Sequence, residues 1–200
     1  TLSDASYSNC TITVTDSAEN TSSSLSVNTF VVDTTAPNLS QVTAVTSATN
    51  DTTPDYIFSS DEAGTISYGG SCSSSTTSAT ADNNTITFNA LADETYSNCT
   101  IRVTDSAGNT SSPPLSVNTF IIDTIAPTVS STSPADNQTL VLEGANISVT
   151  FSDAMDNTTI TTSTDNTSCY GNLQISSDNF STCVQMSSSP SSSSDNKTFT

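Results

Sequence analysis

The sequence predicts an all-β chain made of thin β-sandwich domains in tandem, and three observations carry that expectation. Apolar residues alternate with threonine at a period of two. A long stretch beginning at Tyr7 returns, nearly unchanged, from Tyr96. No window holds an apolar period of 3.6 residues over three helical turns.

The alternation is clearest in "CTITVT", where Cys10, Ile12 and Val14 point to one face and Thr11, Thr13 and Thr15 to the other. "TITFNA" repeats it with Ile86 and Phe88, and "ISVTF" with Ile147, Val149 and Phe151. A two-residue period builds a half-buried strand, and β-branched threonine suits the wet face of such a strand. This placement settles what composition leaves open. Leu, Ile, Val and Phe make up only 38 of 200 residues and the net charge is −18, proportions that favour disorder. Ordered alternation overrides that reading.

Lys and Arg number 2 against 20 Asp and Glu. Nucleic acids and anionic membrane surfaces need basic patches, so neither is expected as a partner. No apolar run approaches the roughly 20 residues of a membrane span, so no membrane contact is expected in this stretch. Histidine is absent, which removes the commonest general base and the commonest metal ligand.

Residues 7–40 and 96–130 align end to end, with "YSNCTITVTD" answered by "YSNCTIRVTD". A period near ninety residues is the size of one sandwich domain and too long for a solenoid repeat. The joints are "DTTAP" at Asp33–Pro37 and "DTIAP" at Asp123–Pro127. Proline at a joint stops strand pairing and stiffens the link. The domains are therefore expected at 1–35 (the end of one repeat), 36–125 (a complete repeat) and 126–200 (the start of a third, divergent domain). A window cut from a longer array is the expectation, with "KTFT" at 197–200 read as a strand lacking a closing partner.

Within the complete repeat, strands are placed near 39–46, 55–60, 65–71, 74–80, 85–91, 96–104 and 115–123. Turns fall between them at "TNDTTPD", "DEAG", "ADNN", "LADE" and "DSAGN". The last strand changes phase, because Leu115 and Val117 share a parity that Phe120 and Ile122 do not; a β-bulge near Asn118–Thr119, and near Asn28–Thr29 in the first copy, would keep both pairs inward. About seven short strands at this spacing suggest an immunoglobulin-like sandwich. The Ser-rich tract "SSSPSSSS" at 187–194 reads as a mobile loop.

The segments "SSDEAGTISYGGSC", "TITFNALADETYSNCTIRVTDSAGNTS" and the "DTIAP" joint resemble the bacterial immunoglobulin-like repeats of large secreted surface proteins and adhesins. "PTVSSTSPADNQTLVLEGANISVTFSDAMD" resembles a different branch of the same superfamily. The resemblance implies a tandem, extracellular, surface context and little about activity beyond a spacer role.

In that sandwich the third and sixth strands are neighbours. Cys72 shares the inward parity of Ile66 and Tyr68, and Cys99 that of Ile101 and Val103, so a Cys72–Cys99 disulfide is predicted. Cys10 matches Cys99, and its partner would lie outside the window. Cys169 and Cys183 read as a hairpin-bridging pair; with no histidine and no C-x-x-C spacing, zinc or a reactive thiol is the poorer reading. Disulfides imply an oxidising, extracellular compartment.

Calcium is the one candidate cofactor. It takes six to eight oxygens, and loops from two domains can supply them at a joint. Asp33 and Asp123, at the joints, are the best single candidates, with Asp61–Glu62, Asp93–Glu94 and Asp105 in turns; turn formation alone also accounts for acids there. Thirteen N-x-S/T sequons occur, and Asn20, Asn38, Asn50, Asn109, Asn137, Asn157 and Asn166 are the glycosylation candidates. Tyr96 opens the sixth strand and could set its hydroxyl on the corner loop, as a tyrosine corner does, with Tyr7 as its copy. Arg102, on the wet face, is expected to pair loosely with acids. No catalytic motif appears, and no enzyme is expected. The leading function is a stalk or filament whose partners are neighbouring domains of the same chain and other copies in a fibre. The alternative is an adhesin gripping glycan or a surface through its loops, Tyr170 being the main exposed aromatic.

Overall fold

The computed structural model describes residues 1–165 and 167–200 and, among them, contains strands and no helix. The chain forms two compact units, Thr1–Thr124 and Ile125–Thr200.

The first unit opens with the incomplete copy. β1 (Ala5–Tyr7) pairs antiparallel with β4 (Phe30–Val32), and β2 (Thr11–Ile12) with β3 (Leu25–Ser26). The complete repeat follows. Its first sheet holds β5 (Leu39–Thr43), β6 (Asp55–Ser60) and β9 (Asn83–Thr87), with β6 central. Its second sheet runs, in spatial order, β12 (Leu115–Ser116), β11 (Thr100–Thr104), β7 (Gly64–Gly69) and β8 (Ser78–Ala79). β10 (Glu94–Tyr96) and β13 (Phe120–Ile122) make a two-stranded ribbon of their own.

Alternation puts Tyr56 and Phe58 of β6 and Ile101 and Val103 of β11 at 0 % exposure, facing one core with Ile86, Phe88, Tyr96, Phe120 and Ile122. Aromatic rings run through that core in series. Tyr56 stacks on Phe88 at 6.4 Å, Phe88 on Phe120 at 6.1 Å, and Phe120 on Tyr96 at 5.2 Å. Rings of this size bury the most apolar area per residue, which matters in a chain with so few aliphatics.

The complete repeat carries more and shorter strands than the seven expected, because two of those seven divide. The stretch 96–104 is split between β10 and β11, which lie in different sheets, and 115–123 is split between β12 and β13 in the same way. The phase change at Asn118–Thr119 is thus a crossing between sheets and not a bulge within one strand. Asn118 covers the break: its Nδ2 donates to the Val45 carbonyl at 2.9 Å and its Oδ1 accepts the Val45 amide at 3.0 Å. The first copy breaks likewise between β3 and β4. The expected strand at 74–80 shrinks to β8, because side chains take over its polar groups. The Tyr68 hydroxyl donates to the Thr76 carbonyl at 2.6 Å, and the Thr76 amide donates to Ser74 Oγ at 3.2 Å.

In the second unit β15 (Ser148–Phe151) lies between β14 (Val129–Ser133) and β16 (Thr198–Phe199). "KTFT" therefore has a strand partner, Val149 opposing Phe199. The Ser-rich tract is not a free loop at its far end. Ser191 and Thr200 exchange two backbone hydrogen bonds of 2.9 and 3.0 Å, and the Ser193 amide donates to the Thr198 carbonyl at 2.8 Å. Cys169 and Cys183 are bonded, and Cys183, Ile160 and Phe199 are buried.

Candidate functional site

The chemistry-bearing groups of the first unit gather where residues 33–38 meet the turns of the complete repeat. The "DSAGN" turn is built on Asp105. Its Oδ1 accepts the amides of Ala107 and Asn109, both at 2.8 Å, and its Oδ2 accepts Asn109 Nδ2 at 2.8 Å. This is the Asx-turn habit of aspartate, closed by Gly108 at a φ of 95°. Burial raises the Asp105 pKa, but the donors from Asn109, Ala107 and Gly108 outweigh it and hold the carboxyl below its ordinary value. The same Asn109 Nδ2 reaches the Asp33 carbonyl at 3.1 Å. Asp33 Oδ1 in turn accepts the Thr35 amide at 3.0 Å.

These bonds bring one carboxylate oxygen from each of Asp33, Glu62 and Asp105 within 4.8 Å of one another. All three residues are half-buried, and no other such group of three occurs among the described residues. The Glu62 pKa is raised, first by desolvation and then by the charges of Asp33, Asp105 and Asp61. Arg102, the one basic side chain among the described residues of the first unit, donates to the Ser111 carbonyl at 2.6 Å. Three hard carboxylate oxygens match the donor set of a calcium ion, whose remaining ligands would be water or backbone carbonyls.

Asp33 is thus in the trio, together with Glu62 and Asp105. Asp123, the candidate at the other joint, is not one of its members; its amide donates to the Thr49 carbonyl at 3.0 Å. Asp61 has a different task. Its Oδ1 accepts the Asn38 amide at 2.7 Å and its own amide donates to the Asn38 carbonyl at 3.3 Å. The second unit repeats that two-way clamp, with the Thr128 amide on Ser152 Oγ at 2.9 Å and the Ser152 amide on the Thr128 carbonyl at 2.8 Å. The trio had a partial signal in the sequence, since each member sits in a turn or joint. Their meeting did not, because 28 residues separate Asp33 from Glu62, and 42 separate Glu62 from Asp105, along the chain.

Cys72 and Cys99 are bonded, with their Cα atoms 5.3 Å apart and both side chains buried. They lie just outside the strands and not on them, past β7 and before β11. Cys10 is in no disulfide among the described residues. The Tyr96 hydroxyl donates to the Ala92 carbonyl at 3.1 Å, and Tyr7 makes the same bond to Ser3 at 2.9 Å. Arg102, bound to a backbone carbonyl, departs from the loose acid pairing expected, because the returning chain at Ser111 places an acceptor closer than any carboxylate.

The sequons divide by whether their amide nitrogen is engaged. Asn20 and Asn109 donate to Asp16 and Asp105, and Asn137 to Asp136; a glycan on that nitrogen would displace those bonds. Asn38, Asn50 and Asn157 are exposed, and their amide nitrogens make no hydrogen bond among the described residues. Asn166 lies outside the described residues.

A family model described as a bacterial Ig-like domain matches residues 36–124, and a second, distinct model of the same description matches residues 123–200. No curated protein and no solved structure matches the chain.

Proposed function

From the premise that this chain carries bacterial Ig-like domains in tandem, we propose that it works mechanically, as a stalk segment that spaces something from a bacterial surface. Domains of this family, and the two disulfides, are typical of extracellular proteins, and a structural or surface role is what such domains serve. One observation supports the finer reading above the rest: the linker at residues 33–38 is docked. Its start is tied to Asn109, its end is clamped on Asp61, and Pro37 between them is buried. A linker fixed at both ends transmits force and limits bending, where a free one acts as a swivel.

Calcium at Asp33, Glu62 and Asp105 would stiffen that joint further, because one ion would tie the linker to two turns and cancel their mutual repulsion. Calorimetry of the chain in calcium and in chelator tests this; an unchanged melting temperature removes the metal from the reading. Electron microscopy of the intact particle tests the stalk. Evenly stepped beads in a rod are expected. Flexible, collapsed particles, or specific retention on a glycan array, would replace the stalk with the adhesin reading.

A further inference from the structure

One peptide unit of the linker is held from both sides. The Asp33–Thr34 peptide is trans, so its carbonyl oxygen and its amide hydrogen point in opposite directions from one rigid plane. The carbonyl accepts Asn109 Nδ2 at 3.1 Å, from the complete repeat that follows. The amide donates to Asp4 Oδ2 at 3.1 Å, in the copy that precedes. Asp4 fastens the linker further. Its Oδ1 accepts the Thr34 hydroxyl at 2.9 Å and its Oδ2 the Thr35 hydroxyl at 3.0 Å. The Thr34 amide, and then its hydroxyl, hold the Asp4 carboxyl below its ordinary value.

The upstream hold is a property of the repeat. In the complete repeat Asp93 takes the Thr124 amide at 3.1 Å and the Thr124 hydroxyl at 2.9 and 3.0 Å. The downstream hold is anchored in a turn. A side-chain amide has two hydrogens to donate, and Asn109 gives them to the Asp33 carbonyl and to Asp105 Oδ2, the latter at 2.8 Å. An unbroken hydrogen-bonded line runs from Asp105 through Asn109 and the linker peptide to Asp4. Bonds in such a line polarise and strengthen one another.

We propose that the Asp33–Thr34 peptide is a coupling element between neighbouring repeats: its two hydrogen bonds form and break together, so the joint is either locked to both repeats or released from both. The reason is the stiffness of the plane. Turning it far enough to pull the carbonyl from Asn109 swings the amide out of line with Asp4, and a bent N–H···O bond weakens steeply. A joint of this kind stays straight under small loads and yields in a single step. The stalk reading gives that behaviour its use; the coupling is a property of the chain and is tested apart from it.

The test is hydrogen exchange by NMR on the 200-residue chain in chelator, which keeps any bound cation out of the result. Asn109→Ala removes one of the two bonds that hold the peptide closed, so the Thr34 amide should exchange about fivefold faster, the factor that one net hydrogen bond is worth. By linkage, Asp4→Ala should speed exchange of the Asn109 side-chain amide by the same factor. Gly108→Ala strains the same turn at a φ of 95° while its added Cβ meets nothing within 4 Å, and it should leave Thr34 unchanged. The Val103 amide, which donates to Ser111 Oγ at 3.0 Å, reports whether the repeat is still folded. If Asn109→Ala unfolds it, the Asp4→Ala arm decides. An unchanged Thr34 rate in folded Asn109→Ala, or an unchanged Asn109 side-chain rate in Asp4→Ala, would mean that the bonds open independently and would overturn the coupling. Equal acceleration of Thr34 by Gly108→Ala would assign the effect to the turn and overturn it too. Stepped rods in electron microscopy beside unchanged rates would leave the stalk standing with the coupling refuted.

Discussion

Replacing Cys72 and Cys99 together by alanine removes the one covalent tie across the second sheet of the complete repeat. The bond spans a sequence separation of 27. On the chain-entropy account a closed loop of that length constrains the unfolded chain by about 3–4 kcal/mol. That is a large part of the roughly 5–15 kcal/mol that holds an ordinary domain folded. The alanines also leave a void, since Cys72 and Cys99 are buried beside Ile101 and Val117 in one core, and voids add to the loss. The melting temperature of a domain this size moves by about 4–8 °C per kcal/mol, so a fall on the order of 15–25 °C is expected. The chain has no tryptophan, so urea unfolding is best read by tyrosine fluorescence, with Tyr56 and Tyr96 as core reporters. The Cys169–Cys183 bond, with a separation of 14, provides an internal scale. Its loss should cost its own unit about 3 kcal/mol, roughly half a kcal/mol less on loop length alone. A loss below about 1 kcal/mol in the Cys72→Ala, Cys99→Ala protein would refute the reasoning, and would mean that the aromatic core alone holds the sheets together.

Three further outcomes are expected. Gly108→Glu should destabilise the complete repeat by about 1 kcal/mol in urea, because the turn demands a left-handed backbone; the fold should survive, since Glu19 holds the equivalent place at a φ of 69°. Glu62→Gln should raise the melting temperature at pH 7 in chelator and lose that advantage near pH 4. A carboxyl whose folded pKa is raised, here by desolvation and by Asp33, Asp105 and Asp61, adds stability below its ordinary pKa and loses it as pH rises through the raised one. Asp178 should titrate in carboxyl-detected NMR with a midpoint of about 2, held down by the Thr182 hydroxyl and amide and by Ser176. Its stabilising effect should be complete above the ordinary carboxylate range and vanish as pH falls through 2.

Much of the core was legible because a two-residue period assigns every second side chain to one face. That rule placed Ile101, Val103, Ile86 and Phe88 inward without any knowledge of partners, and all four are buried. It failed at Asn118. A parity change reads the same whether a strand bulges or leaves its sheet, and only the pairing of β12 with β11 and of β13 with β10 separates the two. The acidic site was legible only in part. Asp33 stood out through its joint, whereas Glu62 and Asp105 looked like ordinary turn residues.

By itself the sequence determined the all-β class, the tandem repeat, the acidic Thr-covered surface and the inward faces, because these follow from composition and from periods shorter than one strand. The tertiary structure alone decided which strands cross between sheets, that Asn109 and Asp61 grip the linker, and that three distant carboxylates converge. Those depend on loops that bring remote residues together, and no local period encodes where a loop returns. The repeat joins the two levels: residues 7–32 and 96–122 share nearly one sequence and one local geometry, yet Ile101 is buried and Ile12 exposed, because burial belongs to the neighbour across the sheet and not to the strand itself.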